Sequence, residues 1–169
     1  MISRDVARFA SAALLTTTLV ASPVSASAAQ SAYTPEQICG SGFGTVAGGT
    51  SPVTDVKGVV RGSVHLLYNA RTGENCVVTI KSSFVGQPTL TRAVLLRQGT
   101  LEGSQDQGVY KYYAGPVKEQ ARGRCVQYRG YITNMRAGER STGSTIHAYG
   151  GSLEYGNCGG GTKRLRGLS

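Results

Sequence analysis

Seven basic residues fall within thirty positions: Lys111, Lys118, Arg122, Arg124, Arg129, Arg136 and Arg140. Only Glu119 and Glu139 oppose them. Tyr110, Tyr112, Tyr113, Tyr128 and Tyr131 are interleaved. Cations attract a polyanion, and aromatic rings stack on its flat units. A candidate surface for an anionic polymer or glycan therefore comprises Lys111, Tyr113, Arg122, Arg124, Arg129, Tyr131, Arg136 and Arg140. The competing reading is that strand tyrosines fill a core and leave the hydroxyl at its margin.

Enzyme chemistry has few candidates. The sequence lacks a G-x-S-x-G elbow, an HExxH pair and a G-x-x-x-x-G-K-[ST] loop. His65 and His147 both lie in strand-like segments, and each reads as an ordinary strand residue. A glycosidase would need two flanking carboxylates. Glu74, Glu102 and Glu154 sit in turn-like segments. The expectation is a protein without catalytic activity and without a cofactor. A hydrolase that uses no recognisable motif is the third reading, behind a surface protein and a binding module.

Four cysteines, Cys39, Cys76, Cys125 and Cys158, are spaced too widely for a CxxC motif. No histidine is close to any of them in sequence, so a metal site is disfavoured. Residues 1–28 look like a secretory signal peptide. Arg4 and Arg8 supply the positive start, an apolar stretch runs from Phe9 to Val20, and Ala26-Ser27-Ala28 offers a cleavage site. Cleavage after Ala29 fits almost as well. The apolar stretch is shorter than the roughly 20 residues that a membrane-spanning helix needs. The expected location is extracellular, at the cell wall or spore surface, with no integral membrane contact. In such a compartment four cysteines imply two disulfides, and three pairings are open.

The full chain of 169 residues carries a formal charge of +9. Removing residues 1–28 takes away two of 18 basic and one of nine acidic residues, which leaves +8. An exported chain meets few nucleic acids, so anionic cell-wall or spore-surface polymers are the expected partners. Lys163, Arg164 and Arg166 lie in a segment, 159–169, that reads as a flexible basic tail.

The elements that must position these residues are short strands. With 24 glycines, no Trp and few charges, the composition disfavours a helical bundle. Thr34-Pro35-Glu36-Gln37 is a helix-start signal, and Gly40-Ser41-Gly42 keeps the helix short. Residues 44–58 read as a loop or weak edge strand. Strands are expected at 63–68, 76–81, 109–114 and 125–133, with a weaker one at 145–149. The 109–114 strand should stop at Gly115-Pro116. Residues 90–97 fit a strand or a buried helix. Val64, Leu66, Tyr68, Val78, Ile80, Val126 and Ile132 form the expected core, and Cys125 belongs at a bulge or strand end. Residues 29–158 thus read as one all-β domain, an antiparallel sandwich or barrel.

Several motifs resemble the spore-associated protein A family. They are Tyr33-Thr34-Pro35-Glu36 with Cys39-Gly40-Ser41-Gly42, then Val64–Asn69, then Gly73–Lys81. Tyr112–Val117, Gly123–Gln127 and Cys158-Gly159 complete the series, in order, across 33–158. Tyr128 stands where the family usually has Trp. The resemblance implies a small secreted protein of filamentous actinomycetes, found at the spore surface, and brings no catalytic residues. It also implies the pairing Cys39–Cys76 and Cys125–Cys158.

Overall fold

Thr34 caps the first element as its sequence demands. Its hydroxyl accepts from the backbone N–H of Gln37 at 3.2 Å, and the Gln37 side chain accepts from the Thr34 N–H at 2.9 Å. Pro35 begins the helix, α1 (Pro35–Cys39), and Gly40, with φ +95°, ends it. The protein is described by a computed structural model, which covers residues 33–100 and 103–158. The expected signal peptide (1–28) and basic tail (159–169) lie outside the described residues.

Eight strands follow: β1 (Gly44–Asp55), β2 (Val60–Asn69), β3 (Glu74–Lys81), β4 (Thr89–Arg97), β5 (Ser104–Tyr110), β6 (Tyr113–Gln120), β7 (Val126–Thr133) and β8 (His147–Gly156). They form one antiparallel sheet in the order β5-β4-β7-β8-β1-β2-β3-β6. The two end strands meet, so the sheet curls into a nearly closed barrel. Asp106 on β5 makes that seam: it accepts from the Tyr110 hydroxyl and, at 2.6 Å, from the backbone N–H of Gly115 on β6. Ser104 donates to Glu119 further along.

The barrel has two apolar clusters. The inner one joins Val53, Val64, Leu66, Val77, Leu95, Val126, Tyr128 and Ile132 with small alanines. The outer one, Cys39, Leu67, Cys76, Val78 and Ile80, lies beneath α1 with Ile38, Phe43 and Tyr113. β3 is therefore buried on both faces. Of the expected core, Val64, Leu66, Val78, Ile80, Val126 and Ile132 are buried, and Tyr68 is only half-buried. The disulfides are Cys39–Cys76 and Cys125–Cys158, as the resemblance implied. Cys125 sits directly before β7, where the β7–β8 register shifts.

Two expectations are corrected, and a third, which had two alternatives, is decided. Residues 44–55 are not a loop or an edge strand: β1 lies between β8 and β2. Of its glycines, Gly49 is there for close packing, since a Cβ would come within 2.6 Å of the Leu66 carbonyl oxygen, and Gly48 takes a left-handed φ of +69°. The 90–97 segment is strand, not helix, because its inward positions alternate along β4. The 109–114 strand is divided: β5 ends at Tyr110, and β6 runs through Gly115-Pro116 to Gln120. The polar composition of Ser104–Gly108 concealed β5. The Gly115-Pro116 pair suits β6 because β6 is an end strand and its register with β3 shifts at this pair, where Gly115 takes a φ of +102°.

Lys81 closes one end of the interior. Its side chain is buried, and Nζ donates to the Gln87 carbonyl at 2.8 Å, the Thr89 hydroxyl at 2.8 Å and the Tyr110 carbonyl at 3.0 Å. All three ammonium protons are used, but no carboxylate is among these partners. Burial pushes the ammonium down from 10.5 to about 8. Between those values the unfolded chain holds a proton that the folded chain does not. Stability therefore rises as pH climbs from about 8 towards 10. Urea midpoints at pH 7.5 and 9.5 should show this rise, and Lys81→Met should abolish it. An identical rise in the variant would remove Lys81 as its source.

Candidate functional site

Strand alternation turns every second side chain of β4, β7 and β8 outward. The register sets Arg92 opposite Tyr131, and Tyr131 opposite Tyr149. One row thus crosses three strands. The Arg92 guanidinium lies 5.4 Å from the Tyr131 ring centroid, a cation–π distance. The Tyr131 and Tyr149 rings are 4.8 Å apart, tilted by 32°. The next row sets Val94 opposite Arg129, and Arg129 opposite Gly151. Gly151 has no side chain, so the surface is notched between Tyr149 and Leu153. Any Cβ there would fall 2.1 Å from the Tyr128 carbonyl oxygen. The result is a groove of about 390 Å³.

Tyr149 is 57% exposed and Leu153 is 75% exposed. Tyr131 is half-buried, and burial raises its hydroxyl to about 12, with Tyr149 adding to the shift. That hydroxyl meets His147 Nδ1 at 2.6 Å, and the Ser141 hydroxyl lies 3.1 Å from His147 Nε2. The chain Ser141–His147–Tyr131 has the outline of a nucleophile, a base and an orienting group. The third position holds a neutral phenol where a triad places a carboxylate, so an imidazolium there would lack its counter-charge. His65 is likewise held between hydroxyls, Thr50 at 3.1 Å and Ser63 at 2.8 Å, and burial lowers its pKa.

The structure brings Arg129 and Tyr131 together in the groove and leaves the other six candidates elsewhere. Lys111 is exposed between β5 and β6. Tyr113 packs beside Tyr33, with ring centroids 5.0 Å apart, and against the outer cluster. Arg122 ties two loops by donating to the Arg71 carbonyl at 2.8 Å. Arg124 is exposed before β7, and Arg136 and Arg140 are exposed in the loop between β7 and β8. The competing reading holds for Tyr128, which is buried and donates to the Gly48 carbonyl at 3.0 Å.

Sequence reasoning missed Arg92, Tyr149 and Leu153. The signal for Arg92 was a cation in the middle of the apolar LTRAVLLR segment, whose other cation, Arg97, only ends it. Among the described residues no cluster of His, Cys, Asp and Glu is placed to hold a metal. Nor is any described helix long and apolar enough to cross a membrane.

The chain is similar to Spore-associated protein A of Streptomyces coelicolor, with 39% identity over 100 residues. The match covers 59% of this chain and 60% of that protein, so the chain spans about three fifths of its relative's length. This identity supports the spore-associated protein A family. No family model and no solved structure matches the chain.

Proposed function

We propose that this is an exported protein without catalytic activity, held at the cell or spore surface. The observation that carries this reading is the similarity to Spore-associated protein A. A leader-like segment at 1–28 and a charge of +8 beyond it agree with export and with an anionic envelope. Fractionating a culture of the native host into medium, hyphal wall and spore surface tests the location. The protein is expected in the wall or spore fraction. Exposed charges are screened over about 10 Å at 0.1 M salt and about 3 Å at 1 M. High salt should therefore release it, and sooner when Lys163, Arg164 and Arg166 are deleted. Retention unchanged by salt would rule out electrostatic attachment and favour a coat held by apolar contacts. Recovery in the medium alone would defeat the surface reading.

A second reading is a binding module for an anionic wall polymer or glycan. The specific observation behind it is the row Arg92–Tyr131–Tyr149 with Arg129 beside it. Cation and ring are side by side there, as the chemistry of an acidic polymer requires.

A further inference from the structure

We infer that the groove across β4, β7 and β8 binds a sugar ring that carries an anionic substituent, as one unit of an acidic glycan. This deepens the polymer-binding reading and rests on it. Two kinds of side chain meet in the groove. Arg92 and Arg129 are cations, and no acidic residue lines it with them. Tyr149 and Leu153 present large apolar surfaces to solvent on either side of the notch at Gly151. Exposed apolar groups flanking a concave site are what a ligand covers.

The charge geometry asks for an anion. Arg92 Nε is buried and has no hydrogen-bond partner, and Nη1 reaches Gln107 only at 3.4 Å. A guanidinium whose donors are only partly used pairs with carboxylate or phosphate by charge-assisted hydrogen bonds. The rings ask for something flat. The C–H face of a pyranose fits an exposed tyrosine ring, whose π face is electron-rich. A bare inorganic anion would use Arg92 and Arg129 and leave Tyr149 and Leu153 uncovered. A neutral sugar would cover the rings and leave the arginines unused. A charged sugar satisfies both. Its charge could come from a uronate or from a sugar phosphate, and the groove chemistry is the same for either.

Calorimetric titration of the disulfide-bonded chain tests this with four polymers: a polyuronate, a sugar-phosphate polymer, neutral dextran and poly(glycerol phosphate), which has no ring. Binding to at least one of the first two is expected, with the other arms weaker by about tenfold or more, or about 1.4 kcal/mol. The stronger of the first two identifies the source of charge. Tyr149→Ala should weaken binding about tenfold, while Tyr149→Phe should retain it. Arg129→Gln should weaken it and lower the salt slope by about one. Arg140→Gln, in the exposed loop, should change affinity less than about twofold. Melting curves of each variant confirm that it is folded; if Tyr149→Ala is not, Leu153→Ser takes its place. The proposal fails if neither charged glycan binds, or if Tyr149→Ala binds as tightly as the parent. It also fails if Arg140→Gln loses as much as Arg129→Gln, since the charge would then act diffusely. In these cases, retention of the same variants on intact walls would leave the surface reading standing without the groove.

Discussion

Replacing Cys39 and Cys76 together by alanine should lower stability by about 4–5 kcal/mol, at the top of the range for a lost native disulfide. The bond spans 37 residues, and the chain-entropy model assigns a loop of that length about 3–4 kcal/mol. Packing supplies the rest. Both cysteines are buried, at 1% and 0% exposure, in the outer cluster with Leu67, Val78 and Ile80. The helix that carries Cys39 has five residues, too few to be helical alone. Its place is held by this bond, by its cap and by the cluster. The second bond, Cys125–Cys158, spans 33 residues and has nearly the same entropic worth. Cys125 is only half-buried and Cys158 is exposed, so little packing goes with it. Replacing that pair should cost about 3 kcal/mol. Urea midpoints of the two double variants make the comparison. Equal losses would mean that the outer cluster adds nothing beyond the cross-link.

The sequence was legible where local chemistry and apolar alternation agreed. Thr34, Pro35 and Gln37 announce α1, and Val64, Leu66, Val78 and Ile80 announce β2 and β3. It was illegible where one residue type serves two purposes. Glycine in β1 looks like loop composition, yet Gly49 is there because the Leu66 backbone leaves no room for a Cβ. Ser104–Gly108 shows no apolar alternation because β5 is an end strand with exposed positions along its length. The candidate site was harder still. Lys111 to Arg140 is a compact stretch of sequence, but it winds through two strands, β6 and β7, and the connections around them. Its cations point to different sides of the barrel. The groove is assembled from partners distant in sequence, with Arg92 opposite Tyr131 and Tyr131 opposite Tyr149. That register depends on which strands pair, and pairing between β4 and β7 is non-local. Types were readable from the sequence, but neighbours were not.

Gly130 joins the fold to the groove, and Gly130→Ala should lower stability by about 2–3 kcal/mol, as overpacking does. In an ordinary strand the same change would gain about 0.5–1 kcal/mol by stiffening the unfolded chain. Here the added Cβ would lie 2.7 Å from Val64 Cβ and 2.8 Å from Thr79 Oγ1. Neither neighbour gives way easily. Val64 is fully buried, and its Cβ is one bond from the backbone. The Thr79 hydroxyl donates to the Arg92 carbonyl at 2.9 Å, which ties β3 to β4 across the interior. Relief must come from moving β7 outward, and β7 carries Arg129 and Tyr131 on either side of Gly130. Tyr131 would then shift against Arg92 and Tyr149, so the Tyr131 and Tyr149 ring resonances should move in the NMR spectrum. Gly143→Ala is the control, because Gly143 has open space around its missing Cβ and no left-handed backbone. It should be neutral or slightly stabilising, with the tyrosine resonances unchanged. If Gly130→Ala matched Gly143→Ala in both measurements, β2 and β7 would not be in contact through the barrel. The groove would then owe its shape to its own rows alone.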